Sequence, residues 1–369
     1  MWSCGDSVSR EEAFQRLWQS RGPLACALWP VATLFGALAA VRRALYRCGG
    51  FRVSTLPVPV IVVGNLIAGG AGKTPTVIAL VDLLRRHGHT PGVISRGYGG
   101  SSGGSSNNTH GAARNPADAG LEVGADTPAA RCGDEPLLIY LRTSAPVVVG
   151  RDRVAAARLL LRRHPHVTVL VSDDGLQHLR LARTAQVLVF DERGAGNGWL
   201  LPAGPLRERL PRQVPVGSVV LYNAAAPSTP LPGHLAQRSL RGVVELAAWW
   251  QGQAPSHEAL LALRGRPLLA AAGLARPQRF FEMLRAAGLT ISPLALPDHH
   301  AYTALPWPAD TADVVLTEKD AIKIDARSVG ATRVWVAALE FCPPAAFDAA
   351  LLALLPPPGT GTAHGNAPA

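Results

Sequence analysis

The sequence is poor in several features that mark other classes of protein. Its five cysteines are scattered through 369 residues with no C-x-x-C spacing. Neither a disulfide framework nor a cysteine zinc site is therefore predicted, and a reducing compartment fits this usage. Aromatic residues make up only 6% of the chain, and few of them lie among the basic residues. A platform that stacks single-stranded nucleic acid is not supported, so we expect no nucleic-acid partner.

Lysine is also scarce, although the chain is strongly basic. The formal net charge is +10, and arginine supplies nearly all of the positive charge. An excess of this sign favours an anionic partner. With nucleic acid set aside, that partner is an acidic membrane surface or a phosphorylated substrate.

The first long apolar run, Leu24–Val41, contains no charged residue and is followed by a cluster of arginines. It is borderline in length for a membrane span, and Pro30 interrupts it. A signal peptide, a single transmembrane anchor and a buried core helix are all open on this stretch alone. We favour a helix that lies in, or dips into, the cytoplasmic leaflet, with the arginines on lipid phosphates. These arginines are Arg42, Arg43, Arg47 and Arg52.

A β-branched run over residues 58–63 leads into a glycine-rich turn and then a helical pattern. This order is typical of a phosphate-binding loop, in which backbone N–H groups and the helix N-terminus face the phosphates. Lys73 can then reach the β- and γ-phosphates, and the Thr74 hydroxyl can ligand Mg²⁺. The loop is a variant, since Ile67 stands where the strict pattern has its first glycine; the alternative is a plain glycine turn with a solvated lysine. The residues predicted to surround the phosphates are Ala68, Gly69, Gly70, Ala71, Gly72, Lys73, Thr74 and Pro75.

Strands and helices alternate after this loop, which predicts an α/β fold with a doubly wound parallel sheet. The site is then expected at the carboxyl ends of the strands. Asp134 and Glu135 begin a predicted helix, where capping is the ordinary explanation for acids. Asp173 and Asp174 follow a short apolar strand, where a P-loop enzyme places its second Mg²⁺ contact. Asp-Asp-Gly alone, however, is also a turn signal.

Two stretches show no regular pattern. The polar, glycine-rich segment from Ser101 to about Ala130 is predicted to be a mobile loop. Residues 231–253 read as a loose transition. A second α/β unit follows, and it carries Asp298 and His299 in a loop after a strand.

These patterns predict four regions in the chain. A membrane-associated helical segment covers 1–50, and a P-loop nucleotide-binding domain covers 51–240. A smaller α/β domain covers 241–355. Residues 356–369 are rich in proline, glycine and alanine, and we expect a disordered tail there.

The ordered motifs of this chain resemble those of the tetraacyldisaccharide 4′-kinase family of lipid A synthesis. The resemblance runs from the apolar N-terminal helix to about Leu355, and seven weak motifs in the family's order make it specific. Ser172 and Leu176 depart from the family's usual residues, but neither change removes a reactive group. The motifs are Gly64-Asn65 with Gly69 to Pro75, Ser95-Arg96-Gly97-Tyr98, Gly133-Asp134-Glu135-Pro136, Asp173-Asp174-Gly175-Leu176-Gln177-His178, Leu201 to Glu208, Asp298-His299, and Thr317-Glu318-Lys319-Asp320.

The resemblance implies a P-loop kinase that moves the γ-phosphate of ATP to the 4′-hydroxyl of a tetraacylated glucosamine disaccharide 1-phosphate. The product is lipid IVA. It also implies a site in the cleft between the nucleotide domain and the smaller domain, and an anchor at the cytoplasmic face of the bacterial inner membrane. The expected partners are the lipid and the anionic membrane surface, with no obligate protein partner.

The resemblance also implies roles for individual residues. Asp134 matches the family's catalytic aspartate and His299 the histidine thought to pair with it, while Lys73 acts on the phosphates. The candidate Mg²⁺ ligands are Thr74, Asp173, Asp174 and Glu208, and the candidate substrate contacts are Arg96, Gln177, His178 and Arg207. The alternative is a membrane-tethered P-loop ATPase or nucleotide switch that acts on a protein partner.

Overall fold

A computed structural model describes residues 17–97, 120–298 and 300–358 of the chain. The fold is α/β, with an eight-stranded sheet followed by a five-stranded sheet. The helices of the first part are α1 (Pro23–Arg47), α2 (Lys73–Arg86), α3 (Ala129–Cys132), α4 (Asp134–Thr143) and α5 (Arg153–Arg163). Its strands are β1 (Val60–Gly64), β2 (Pro91–Ser95), β3 (Leu121–Val123), β4 (Val147–Val149), β5 (Val169–Asp173), β6 (Ala185–Asp191), β7 (Ser218–Asn223) and β8 (His234–Leu235).

The second part of the chain alternates shorter elements around the five-stranded sheet. Its helices are α6 (Leu246–Trp250), α7 (His257–Ala262), α8 (Pro277–Ala286), α9 (Glu318–Ala321) and α10 (Ala345–Leu352). Its strands are β9 (Gln237–Glu245), β10 (Pro267–Ala272), β11 (Thr290–Ala295), β12 (Asp313–Thr317) and β13 (Arg333–Cys342).

The first sheet has the order β3-β4-β2-β5-β1-β6-β7-β8 and is parallel except for β3. Every residue of β1 is buried, which explains its unbroken β-branched run, because helices cover both faces of such a sheet. The chain leaves β1 in one direction to β2 and later returns on the other side to β6. The carboxyl ends of β1 and its neighbours β5 and β6 therefore open at the switch point where ligands bind in this fold.

The predicted loop from Ser101 to Ala130 is only partly described, since residues 98–119 lie outside the described ranges. Its last residues contradict the prediction of an unstructured loop. Leu121–Val123 forms β3, which pairs antiparallel with β4 at the sheet edge, and α3 begins at Ala129. A strand of three residues is too short to leave a periodic pattern in the sequence.

The prediction of a loose transition over residues 231–253 is wrong. This segment contains β8, which completes the first sheet, and β9, which pairs antiparallel with β13 in the second sheet. The second sheet has the order β11-β10-β12-β13-β9. The chain passes from one sheet to the other at Ala236, so the predicted domain boundary at 240 falls inside β9. Six of the nine β9 residues, those from 237 to 241 and Glu245, lie at least partly in solvent, which weakens the apolar alternation that predicts a strand.

The two sheets pack against each other through one shared core. Val63 of β1 and Leu316 of β12 belong to the same cluster of buried apolar side chains. The last helix, α10, returns to the first sheet and contributes Phe347 and Leu351 to this cluster. A second cluster fills the opposite face of the first sheet, and a third lies between the five-stranded sheet and α8.

Helix α1 is apolar and mostly outside this core. It is 25 residues long, its most apolar stretch has a mean hydropathy of 2.0, and only 17% of that stretch is buried. By length and composition it is the one helix in the described ranges that can cross a membrane. Three small residues, Ala25, Ala32 and Gly36, form its buried face, and Gly36 lies directly against Leu200.

Candidate active site

The phosphate-binding loop joins β1 to α2 as predicted. Gly72, the residue before α2, has a φ of 91°, a left-handed conformation that favours glycine. The amide of Asn223 at the end of β7 occupies the space where a Gly72 side chain would lie, and it donates to the Ala71 carbonyl at 3.1 Å. The loop is thus shaped by the adjacent strand end, and the N-terminus of a 14-residue helix faces the cleft.

Arg193 holds the other side of the loop. Its guanidinium donates to the Gly70 carbonyl at 2.5 Å and to the Ala68 carbonyl at 3.3 Å. Asp191, the last residue of β6, accepts from Arg193 through both carboxylate oxygens. These contacts tie the loop to the end of β6. Ile67, which stands in place of the usual glycine, is fully buried.

Lys73 is the first residue of α2 and is almost fully buried. Its ammonium lies 2.9 Å from an oxygen of Asp174 and 3.3 Å from the side-chain oxygen of Asn65. Asn65 in turn donates to the Gly69 carbonyl at 2.9 Å, so the lysine is tied to the loop it serves. The solvated lysine of the alternative interpretation is excluded by this burial.

Asp174 continues this network towards α1. It also accepts from Arg207 at 3.3 Å, and Arg207 contacts Gln177 at 3.5 Å. Gln177 donates to Glu208 at 3.1 Å, and Glu208 pairs with Arg43 of α1 at 2.6 Å. We call this series of contacts, from the P-loop lysine to Arg43, the polar chain. Burial alone would raise the pKa of Asp174, but the charges of Lys73 and Arg207 outweigh it and hold the pKa below its usual value.

Asp173 is the last residue of β5 and lies opposite Val63 of β1. One carboxylate oxygen accepts from the Ser95 hydroxyl at 3.2 Å. The other is buried and has no hydrogen-bond partner among the described residues. Burial and the nearby charge of Glu135 raise the pKa of Asp173 to about 7. The pKa values of the two adjacent acids are therefore shifted in opposite directions. Asp174 is ionised and paired with cations, whereas the charge of an ionised Asp173 would have to be balanced by a bound cation.

Asp134 is the first residue of α4, which packs beside α2 with its N-terminus at the same edge of the sheet. Its carboxylate lies 3.1 Å from the ammonium of Lys323, which follows α9 in the second part of the chain. In the same region Lys319 lies 3.1 Å from Asp298. His299, predicted to pair with Asp134, lies outside the described residues.

A cleft of about 500 Å³ separates the phosphate-binding loop from α8 and β9. Ile78 and Leu138 contribute apolar surface on one wall, and Phe280 and Met283 on the other. The cleft has room for an apolar ring system beside the loop, as a nucleotide site requires.

Arg238 of β9 stands where this cleft meets the loop. One guanidinium nitrogen is 3.5 Å from the position that a Gly72 side chain would take. Its Nε is buried without a hydrogen-bond partner among the described residues. Burial and the charge of Arg279 lower the pKa of Arg238 to about 10. A desolvated cation next to the loop is suited to an anionic group of a ligand.

Comparison with known proteins identifies the family of this chain. The family model described as LpxK, tetraacyldisaccharide-1-P 4′-kinase, matches residues 24–356. The chain belongs to this family. The tetraacyldisaccharide 4′-kinase of Methylibium petroleiphilum is 56% identical over 355 residues, with 94% of each chain covered. That of Leptothrix cholodnii is 54% identical, with 93% of this chain and 95% of its own length covered.

A solved structure shows the same fold. The crystal structure described as an "apo" form of LpxK from Aquifex aeolicus in complex with ATP has a TM-score of 0.70 and 25% sequence identity. The match covers 90% of this chain and all of that one. The chain is a lipid A 4′-kinase that binds ATP and phosphorylates a tetraacyldisaccharide lipid, and this confirms the function that the motifs predict.

The structure brings most of the kinase's predicted site residues together, but it ties two of the four candidate Mg²⁺ ligands to other groups. Asp174 is paired with Lys73 and Arg207, and Glu208 with Arg43 and Gln177. Thr74 and Asp173 remain at the loop. Within the described ranges, no group of three or more His, Cys, Asp or Glu side chains is arranged to hold a metal.

The predicted substrate contacts divide into two groups. Gln177 and Arg207 belong to the polar chain, whereas Arg96 and His178 do not. Arg96 is exposed and directly follows β2. The His178 ring is hydrogen-bonded to the Arg151 carbonyl at 3.0 Å, and burial lowers its pKa.

Several site residues of this kinase escaped the sequence analysis. Arg193 and Asn223 follow or end strands at the site, but neither belongs to a recognisable motif. Arg238 lies in the segment for which no strand was predicted. Lys323 could have been noticed, because it is one of only three lysines in the chain, and all three pair with acids at this site.

Proposed function

We propose how these residues carry out the family's reaction at a membrane. The ATP phosphates lie against the loop amides, Lys73 and Arg238, with the nucleotide base between the apolar walls of the cleft. Asp134 accepts the proton of the sugar hydroxyl as that oxygen attacks the γ-phosphorus. Helix α1 holds the kinase on the cytoplasmic face of the inner membrane, and no protein partner is needed.

The observation that carries this proposal is the polar chain. It connects Arg43 on α1 with Lys73 through contacts of 2.6 to 3.5 Å. The outer face of α1 exposes large apolar side chains, among them Leu24, Leu34 and Leu38. An apolar helix with basic residues along it suits the interface of an anionic membrane. A lipid acceptor whose chains stay beside α1 could place its polar headgroup along the polar chain, directed at the lysine.

Mg²⁺ fits the donor set at Asp173 and Thr74. The buried carboxylate oxygen of Asp173 without a partner is a ready ligand, and the Thr74 hydroxyl lies at the start of α2. Oxygen donors of this kind, completed by phosphate oxygens and water, are what Mg²⁺ prefers. When bound, the ion would neutralise negative charge on the phosphates. Asp174 and Glu208 instead orient the lysine and the polar chain.

Transfer of labelled phosphate tests the proposal. The purified chain alone, in anionic mixed micelles with Mg²⁺, γ-labelled ATP and tetraacyldisaccharide 1-phosphate, should place label at the 4′ position. The Lys73→Ala variant should lose at least about a hundredfold in rate, because charge stabilisation of the phosphates is lost. Hydrolysis of ATP without labelled lipid would contradict the proposal and favour an ATPase. Activity that requires an added protein would contradict the claim that no partner is needed.

A further inference from the structure

Two ion pairs join the two parts of the chain. They connect helix α4 of the first part with α9 and the residues just after α9 in the second part. Arg142 pairs with Glu318 at 2.6 Å, and Asp134 pairs with Lys323 at 3.1 Å. All four side chains are largely buried, with 8–18% of their surface exposed. Buried charges are stabilised only when they are paired, so both contacts constrain how the two parts of the chain meet.

The two pairs differ in what else they do. Glu318 also accepts from the Trp249 indole at 3.4 Å, and the Arg142 guanidinium reaches the Leu339 carbonyl at 3.5 Å. The Arg142–Glu318 pair is thus joined to α6 through Trp249 and to β13 through Leu339. The pair at Asp134 instead involves a carboxylate at the N-terminus of α4, at the edge of the sheet where the loop lysine lies.

The backbone around Lys323 is firmly placed. Its N–H donates to the Asp320 carbonyl at 3.0 Å, one turn back. The Asp320 side chain accepts from the Gly273 N–H at 3.1 Å and from the Thr317 hydroxyl at 2.6 Å. Lys323 is therefore presented to Asp134 from a rigid turn rather than from a flexible loop.

We propose that Lys323 is a positioning residue that holds the Asp134 carboxylate ionised and oriented from across the boundary between the two sheets. This inference rests on the proposed role of Asp134 as the base. In the transfer, the hydroxyl oxygen bonds to the γ-phosphorus and the bond from that phosphorus to the β–γ bridging oxygen breaks. ADP leaves with the electron pair, and the hydroxyl proton passes to Asp134. A carboxylate must be ionised to accept this proton, and an adjacent cation favours that form.

Other charged groups surround α4, and the two Lys323 variants leave all of them unchanged. Helix α4 itself carries Glu135, Tyr140 and Arg142. Two further acids lie on neighbouring segments: Asp173 is the last residue of β5, and Asp298 lies in the loop after β11. The titratable side chains on the elements packed against α4 are Lys73, Asp82, Arg85 and Arg86 of α2, Arg131 and Cys132 of α3, Glu122 of β3, and Glu318, Lys319 and Asp320 of α9.

The test is the pH dependence of lipid phosphorylation in Lys323→Met, Lys323→Arg and Arg142→Met. Without the lysine charge, the ionised form of Asp134 is disfavoured. The acid limb of the rate profile, where the rate falls as the pH is lowered, should therefore shift to higher pH by about one unit or more. Lys323→Arg keeps the charge and should return the limb close to the wild-type position. Arg142→Met removes the other ion pair between the two parts and should leave the limb in place, whatever it costs in stability or in ATP binding.

A second readout separates failure of this inference from failure of the base assignment. The ¹³C signal of the Asp134 carboxyl, assigned by its loss in Asp134→Asn, should titrate at higher pH in Lys323→Met than in wild type. If this signal moves but the rate profile does not, the ion pair is real and Asp134 is not the base. If the signal does not move, or if Lys323→Arg behaves like Lys323→Met, the inference is wrong.

Discussion

The two sides of Lys73 are built in different ways. Towards α1, the polar chain links residues that all precede the second sheet, and each side chain in it has a partner in the structure. Towards the cleft, Arg238 comes from the second part of the chain, and Lys323 of that part pairs with Asp134. In the proposed mechanism, the acceptor side is therefore built within one unit, while Arg238 and the base also depend on how the two units meet. Motions of one sheet relative to the other would affect ATP and Asp134 before they affect the polar chain.

Among the effects on ligand binding that separate the two sides, the largest is expected at Arg238. Arg238→Gln removes a desolvated cation from beside Gly72, where we propose that the ATP phosphates bind. ATP should bind about 10- to 100-fold more weakly, as loss of a charged hydrogen bond predicts. Calorimetric titration with ATP and with adenosine measures this, and adenosine should bind equally to both proteins.

Arg241→Gln is the matched control for Arg238, because Arg241 lies on the same strand but is exposed. It should weaken ATP binding less than about threefold, since exposed charges contribute little. Equal losses in the two variants would show that general charge in the cleft, rather than the buried guanidinium, attracts the nucleotide.

Replacing Asp173, at the end of β5 in the first sheet, should raise the stability of the fold and lower the activity. Its pKa of about 7 in the fold lies above the usual value, so the folded state favours its protonated form. The stability it contributes is complete at low pH and is lost as pH rises from about 4 to about 7. Asp173→Asn in Mg²⁺-free buffer should therefore be more stable than wild type at pH 8, by about 4 kcal/mol for a shift of about three pKa units, with the gain vanishing near pH 4.

Thermal unfolding at several pH values checks this prediction. The same variant should lose transfer activity, since an amide is a poor ligand for Mg²⁺. If Asp173→Asn is less stable than wild type by the same amount at every pH, burial does not disfavour the ionised carboxylate. The proposed Mg²⁺ site at Asp173 would then lose its support.

The smallest effect should come from the polar chain. Arg207→Gln breaks its middle and should raise the KM for the lipid acceptor by about tenfold, roughly the loss of one hydrogen bond to a charged group. The KM for ATP should change little. Arg209→Gln is the control, since this arginine is two residues further on and exposed. An increase in the KM for ATP in Arg207→Gln, rather than for the lipid, would reverse the assignment of the two sides.

Much of the fold and the site could be predicted because the signals were local. The buried β-branched run of β1 and the glycines before Lys73 specify a strand, a turn and a helix start within a few residues. The acid pair at the end of β5 was likewise predicted near the loop, since parallel strands bring their carboxyl ends to one edge. The different states of Asp173 and Asp174 could not be predicted, because they depend on burial and on Lys73 from helix α2.

What the sequence could not supply depends on contacts between distant segments. Strand β9 was missed because part of it is exposed and its partner β13 begins almost 100 residues later. Arg238 was missed with it. The pairing of Lys323 with Asp134 joins residues that no local pattern connects, although the scarcity of lysine was itself a clue.

The most direct test of this account is Asp134→Asn, with phosphate transfer and ATP binding measured on the same preparation. The account predicts that transfer to the lipid falls by about 10²- to 10⁴-fold, the usual contribution of a general base, while ATP binding stays within about twofold of wild type. Retained transfer would show that Asp134 only begins a helix. Loss of ATP binding together with transfer would show that the carboxylate supports the nucleotide site, and the division between the two sides of Lys73 would have to be given up.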